Sequence, residues 1–181
     1  MKRAAMLYCA DHDPARFKLL KQRDQLPFPL ADEEPGVKRT DYTLDQAFRL
    51  RLMQDLIGGE SSDESQLNGL GPAYAANMVM NAMDRFPQHP LQQILPLDWW
   101  AGLVVLEDQD AAGETFRHTE WYVGELEQLA AWLAEKRRRS LGPNGEDRGD
   151  MKAVRVFLAN VTRAAEFVRD RAEDLGLPVE V

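Results

Sequence analysis

The sequence predicts a mainly α-helical protein with a small β component, in which an N-terminal helical unit precedes a C-terminal unit of one β-hairpin and a long helix. Apolar residues recur at intervals of three and four along most of the 181-residue chain, which is typical of amphipathic helices. Residues 99–107 and 115–123 are rich in strand-forming side chains and flank a turn, which indicates a hairpin. Three prolines within residues 87–96 mark a linker. The predicted domains are therefore 1–88 and 97–181.

The composition excludes several classes of protein. Hydrophobic residues make up 44% of the chain and charged residues 29%, which is the balance of a globular protein with its own core. The single cysteine, Cys9, excludes a disulfide framework and a zinc cluster built from cysteines. No apolar run is long enough for a membrane span, and the apolar residues 4–10 are too few for a secretion signal. The expected location is therefore the cytoplasm.

The sequence lacks the common motifs that carry catalysis. It has no phosphate-binding loop, no glycine-rich dinucleotide motif and no His-Glu-x-x-His zinc motif. The three histidines, His12, His89 and His118, are far apart along the chain, and Cys9 lies in an apolar run that favours an inert, buried thiol. We therefore expect no catalytic residues, no metal site and no cofactor, and an enzyme is the least expected class.

The net charge of −8 is unevenly distributed along the chain. Residues 1–52 contain ten basic and eight acidic side chains, whereas the remaining 129 residues contain twelve basic and twenty-two acidic ones. The overall acidity argues against a protein that coats nucleic acid without specificity. The basic excess near the N-terminus leaves room for a local nucleic-acid surface in that part of the chain.

The first two predicted helices are short. Residues 4–10 form an apolar segment with helical character, and Pro14 opens a second helix over residues 15–25. Asp13 is the expected N-cap of that second helix, and the prolines that follow Leu26 require it to end there. Four basic side chains occupy the faces of this helix that its apolar residues leave free: Arg16, Lys18, Lys21 and Arg23.

Two longer helices complete the N-terminal unit. Thr43 and Gln46 have the spacing of a capping box, which predicts a helix that continues to the glycine pair at residues 58–59. Pro72 opens the next helix, whose apolar stripe continues until Pro87. The polar residues between these helices predict a loop, and residues 31–41 before Thr43 have the length of a short hairpin or wing.

The C-terminal unit is predicted to contain the hairpin, a helix over residues 125–139 and a last helix over residues 151–175. Apolar residues in the last helix are spaced by four and three, which fits either a coiled-coil contact between two copies or a helix lying on its own domain. We call this row the apolar seam and predict it as the dimerisation surface. It comprises Val154, Leu158, Val161, Ala165 and Val168, followed by Ala172 and Leu175.

Three stretches of the N-terminal unit follow the order of a known DNA-binding domain. Residues 17–27, Phe-Lys-Leu-Leu-Lys-Gln-Arg-Asp-Gln-Leu-Pro, match its second helix and exit. Residues 38–50, which begin Lys-Arg-Thr-Asp-Tyr, match its wing strand and following helix, and residues 69–72, Gly-Leu-Gly-Pro, precede the next one. Residues 3–86 thus resemble the winged helix-turn-helix domain of the MerR family. Asp24 departs from this pattern, because the family usually has Gly there.

The resemblance implies a transcriptional regulator that binds double-stranded DNA with sequence specificity as a homodimer. It places the helix at residues 15–25 in the major groove and the wing near residues 38–42 on the DNA backbone. Tyr42 would pack against the base of the wing and offer its hydroxyl to a phosphate. The last helix would supply the dimer contact. The implied DNA-binding residues are Arg16, Lys18, Lys21, Arg23, Lys38, Arg39, Tyr42 and Arg49.

Two other classes of function remain open from the residues alone. In the first, the same basic surface contacts an acidic protein, and aromatic residues of the hairpin form an apolar docking patch. In the second, a regulator responds to a small molecule, and the same aromatic residues line its pocket. The aromatic residues concerned are Trp99, Trp100, Trp121 and Tyr122.

Overall fold

The computed structural model of the protein describes residues 1–30, 41–57, 69–83, 94–110, 112–139 and 151–179. Its helices are α1 (Arg3–Ala10), α2 (Pro14–Gln22), α3 (Leu44–Ile57), α4 (Pro72–Met83), α5 (Leu129–Arg139) and α6 (Val161–Asp174). Its strands are β1 (Trp99–Gln109), β2 (Thr115–Glu125) and β3 (Lys152–Asn160). This confirms the coarse prediction of a fold in which helices dominate and strands form a smaller part. The predicted wing, including Lys38 and Arg39, lies outside the described residues.

The predicted helix starts are confirmed by their hydrogen bonds. Asp13 Oδ1 accepts from the backbone amides of Ala15 at 2.9 Å and Arg16 at 2.8 Å, which caps α2. At the start of α3, Gln46 N donates to Thr43 Oγ1 at 3.1 Å and Thr43 N donates to Gln46 Oε1 at 3.0 Å. These two bonds form the predicted capping box.

Helices α1 and α2 end in the same way and are joined by residues 11–13. The residue that follows the last turn is left-handed in both, with φ 54° at Asp11 and 53° at Asp24. Each end has the paired backbone hydrogen bonds of a Schellman motif, which for α2 run from Asp24 N to Lys21 O and from Gln25 N to Leu20 O. The motif turns the chain sharply, so that α2 begins only three residues after α1 ends.

The predicted hairpin is confirmed, and each strand is two residues longer than predicted. Strand β1 is the centre of an antiparallel sheet with the order β2-β1-β3. The hairpin register runs from Trp99 opposite Glu125 to Gln109 opposite Thr115. Gly102 sits where β1 approaches β3 so closely that a Cβ would collide with the carbonyl oxygen of Phe157.

The prediction of one helix over residues 151–175 is wrong, because β3 occupies its first half. Val154 and Val156 alternate along β3 with the period of two that suits a strand, and β3 pairs with β1 from Trp100 opposite Asn160 onward. Asn160 then caps α6, its Oδ1 accepting from Arg163 N at 2.8 Å.

The apolar seam is therefore not one continuous helix face. Val154 and Leu158 lie on the strand β3, whereas Val161, Ala165 and Val168 lie on α6. These three residues of α6 are all fully buried in the core of their own chain. The α6 part of the seam is thus occupied by packing within one molecule.

The sheet is covered on both faces at one of its ends. Because side chains alternate along a strand, Ala101 and Leu103 of β1 join the main core with the helices, while Val104 and Leu106 pack with α5. The main core contains buried residues from both predicted domains, among them Phe48 of α3. The N-terminal helices and α6 thus share one hydrophobic core.

Candidate nucleic-acid interface

Helix α2 presents one buried and one exposed face. Phe17 and Leu20 are 2% and 7% exposed and hold the helix on the core. At 3.6 residues per turn, Lys18, Leu19 and Gln22 point away from that core. We call the outward side of α2 the α2 surface, and its exposed members are Arg16, Lys18, Leu19, Lys21, Gln22 and Arg23.

The cations of the α2 surface are arranged around a mixed centre. Lys21 lies on one side of the outward face, and Arg16 and Arg23 lie together on the other side. Lys18 and Gln22, one turn apart, lie between the two sides. The centre also contains the exposed apolar side chain of Leu19. A basic rim on both flanks of a narrower centre is the arrangement expected of a helix that lies between two rows of phosphates.

The position of α2 is fixed by the segment that precedes α3. The Phe17 ring meets the Tyr42 ring edge to face, with centroids 6.0 Å apart at 77°. Tyr42 N donates to Met1 O at 2.9 Å, and the Met1 amino group donates to Tyr42 O at 2.6 Å. These contacts tie the start of the chain to the residue that follows the predicted wing.

The structure brings together four of the eight predicted DNA-binding residues. Arg16, Lys18 and Lys21 lie on α2, Arg23 follows its last residue as the C-cap, and all four are exposed. Tyr42 is only 5% exposed, so its main contribution is to the packing of α2. Arg49 is half-buried on α3. Lys38 and Arg39 lie outside the described residues.

Sequence reasoning missed Leu19 and Gln22 as members of the α2 surface. Their signal was present, because both are out of phase with Phe17 and Leu20 on a 3.6-residue helix. Neither residue carries a charge, and Leu19 is apolar, so a pattern of cations does not include them. Gln22 matters chemically, since its amide can both donate to and accept from a base edge.

An ionic cluster at the turn between α1 and α2 could not be predicted from sequence. Arg171 of α6 contacts Asp11 at 3.0 Å, and Arg51 of α3 contacts Asp11 at 3.6 Å and Asp55 at 2.9 Å. Both guanidinium groups also lie over the Phe167 ring, at 4.1 Å for Arg51 and 4.7 Å for Arg171. Only the Arg51–Asp55 pair has a sequence signal, its spacing of four on one helix.

The cluster is partly shielded from water. Burial raises the pKa of the Asp55 carboxyl, and the neighbouring Arg51 charge only partly opposes that rise. Gln54 Nε2 donates to the Asp11 carbonyl oxygen at 3.2 Å. A cavity of about 680 Å³ opens beside these groups, and its lining includes Tyr8 and His12. The turn that positions α2 is therefore linked to both α3 and α6.

Metal-ligating side chains are scattered among the described residues. In this part of the chain, no group of three or more His, Cys, Asp or Glu side chains is placed to hold a metal ion. Cys9 is fully buried, and burial raises the pKa of its thiol. None of the described helices combines the length and the apolar character that a membrane span requires.

The four aromatic residues of the hairpin do not form one patch. Trp99 and Trp121 lie on the face of the sheet that meets the main core, whereas Tyr122 belongs to the opposite face. Tyr122 is 3% exposed and packs edge-on against Trp132 of α5, with centroids 5.4 Å apart. The register places Trp100 on the same face as Tyr122. Their arrangement favours structural roles.

Comparison of the chain with protein-family models, with curated proteins and with solved structures finds no match. The geometry and chemistry of the α2 surface are therefore the basis for assigning a function.

Proposed function

We propose that the protein is a sequence-specific DNA-binding transcriptional regulator that acts as a homodimer and inserts α2 into the major groove. The observation that carries this proposal is the α2 surface itself. The capped helix α2 begins three residues after α1 ends. Its outward side exposes cations on both flanks of a centre that contains Lys18 and Gln22. The resemblance of residues 3–86 to a winged helix-turn-helix domain supports the same function.

The proposed contacts divide into two kinds. Lys21 on one flank and Arg16 and Arg23 on the other bind phosphates along the two walls of the groove. Lys18 and Gln22 face the groove floor, where lysine can donate to guanine and the glutamine amide can pair with adenine. A helix with its side chains is about 10–12 Å wide and fits a major groove of about 12 Å.

Further backbone contacts are proposed outside α2. Lys38 and Arg39 belong to the wing that the sequence predicts, and this wing would bind the phosphates next to the groove that α2 occupies. Arg49 would add a contact from α3. The acidic remainder of the chain limits nonspecific attachment, so that binding depends on these placed cations.

The experiment is an anisotropy titration of the protein with a duplex enriched by the wild type from a random pool. Lys21→Ala and Arg23→Ala each weaken binding to all sequences and reduce the slope of log K against log salt by about 1. Gln22→Ala instead reduces the difference in binding free energy between the enriched duplex and a shuffled one by about 1–3 kcal/mol.

The matched control is Arg163→Ala, because Arg163 is an exposed arginine on α6, a different helix. This variant should bind the enriched duplex as the wild type does. Equal binding by wild type, the α2 variants and the control would contradict the proposal. In the alternative outcome, the wild type binds an acidic protein and no DNA, and the same α2 variants lose that protein. This result would favour a protein-interaction module.

A further inference from the structure

Strand β3 has an exposed apolar edge. It pairs with β1 on one side, and no other described strand pairs with its second side. Val154 and Val156 are 44% and 41% exposed. Natural sheets usually protect an open edge with charge, proline or a covering segment, because unpaired amides and carbonyls recruit another strand. The edge of β3 carries two cations, yet it also exposes these two valines, which the side chains of a neighbouring strand would cover.

The exposed part of β3 is its N-terminal half. Residues 152–156 are all exposed, whereas Ala159 near the other end is buried against the main core. Arg155 lies over the ring of Phe157, with its guanidinium carbon 5.8 Å from the centroid. The strand contains two cations, Lys152 and Arg155, and no acidic residue. Its pairing partner must accommodate both charges.

We propose that β3 pairs antiparallel with β3 of a second copy, centred on Val156, so that two three-stranded sheets become one six-stranded sheet. This inference rests on the homodimer in the proposed function but does not depend on DNA binding. The sequence predicted a continuous helical seam as the contact between subunits, and the structure does not contain that seam. In the present proposal the contact is the open edge of β3.

The sequence of β3 is self-complementary in this register. Val156 lies opposite the partner's Val156, and Arg155 lies opposite the partner's Phe157 on the same face. Lys152 lies opposite the partner's Asn160. No two cations are directly opposite each other, whereas a register centred on Arg155 would place the two arginines together. Val156 is also the middle residue of β3, so this register offsets the two strands least.

Two features favour a closed dimer over an open stack of sheets. A β-bulge leaves Val154 without a partner on β1, because Val105 pairs with Arg155 and Leu106 with Ala153. This irregularity limits the regular pairing to a short stretch around Val156. A twofold contact of β3 with itself uses up both open β3 edges, so no third copy can add at β3.

The register is tested by comparing Val156→Cys with Val154→Cys under mild oxidation. Across an antiparallel pair, opposite Cα atoms are about 4.5–5.5 Å apart, within the range for a disulfide. The two copies of residue 154 are four residues out of register and about 14 Å apart, too far for a bridge. Cys9 is fully buried and does not compete.

The expected result on a nonreducing gel is a covalent dimer for Val156→Cys and a monomer for Val154→Cys. Crosslinking of both variants would indicate random encounter, and crosslinking of neither would show that the two Val156 residues do not meet. Crosslinking of Val154→Cys alone would establish another register. Each of these three results overturns the proposal.

The mass in solution provides the independent measurement. Light scattering of the wild type should give twice the monomer mass of 20.6 kDa, and Val156→Lys should give the monomer with an unchanged circular dichroism spectrum. The control Tyr74→Lys changes a residue on α4 that is 61% exposed and should stay dimeric. A monomeric wild type or a dimeric Val156→Lys protein contradicts the proposal. These masses need no DNA, so failure here is distinct from failure of the α2 surface.

Discussion

Asp24 shows how a single residue closes the candidate recognition helix. Its φ of 53° lies in the left-handed region, where the Cβ of an ordinary residue crowds the following carbonyl oxygen. Glycine reaches this conformation without that crowding. Asp24 therefore closes α2 at a cost in backbone energy that glycine would not incur.

Replacing Asp24 with Gly should stabilise the protein. Asp24→Gly removes the left-handed strain and should raise the free energy of unfolding by about 0.5–1 kcal/mol, after the larger unfolded-state entropy of glycine is subtracted. Urea unfolding measures this change. Asp11→Gly is the matched control. Asp11 has a similar φ of 54°, but its carboxylate also forms ion pairs with Arg51 and Arg171, which this substitution removes. An unchanged or lower stability of Asp24→Gly would contradict the account.

At the scale of the element, α2 depends on its first turn. The helix has only nine residues, so its own propensity contributes little and its cap and packing dominate. Asp13→Ala removes the acceptor for two backbone amides and should lower the free energy of unfolding by about 1 kcal/mol. Asp13→Asn keeps an acceptor and should stay close to the wild type in urea unfolding. Equal losses in the two variants would rule out the cap as the cause.

Elements set by local signals were predictable from the sequence, and those set by distant partners were not. The caps at Asp13 and Thr43 and the hairpin around residues 99–125 follow from neighbours along the chain. Strand β3 does not, because apolar residues at 154 and 158 fit both a helix and a strand. The choice between them is made by pairing with β1, more than 40 residues earlier.

The candidate site was predictable to the same extent. The cations of α2 and its buried side follow from the 3.6-residue repeat. The link between Asp11 and Arg171 joins residues 160 positions apart, and no pattern in the sequence indicates it. The burial of Tyr42 was also not predictable, because it depends on a ring contact with Phe17, which lies 25 positions earlier in the chain.

The whole molecule should unfold as one unit. Helix α6 packs with α1 and α3, and Val168 is fully buried in the core they share. All four tryptophans lie in the C-terminal half of the chain, so their fluorescence reports that half, whereas far-ultraviolet circular dichroism reports all the helices. We expect the two probes to give the same urea midpoint.

Val168→Ala should shift both probes together and lower the free energy of unfolding by about 2 kcal/mol, because it leaves a cavity between the two halves. Glu166→Ala is a matched control on the exposed side of α6 and should change neither probe by more than about 0.5 kcal/mol. Separate midpoints for fluorescence and circular dichroism would show two independent domains.

A homodimer that reads DNA through α2 should select its own binding sites, and their enrichment from a random duplex pool measures this property. The expected sequence is an inverted repeat whose half-sites are about one or two helical turns apart, since a twofold dimer presents two copies of α2. Lys18→Ala combined with Gln22→Ala should lose this sequence. The absence of any enriched sequence, or the same enrichment by wild type and double variant, would contradict DNA recognition by an α2 homodimer.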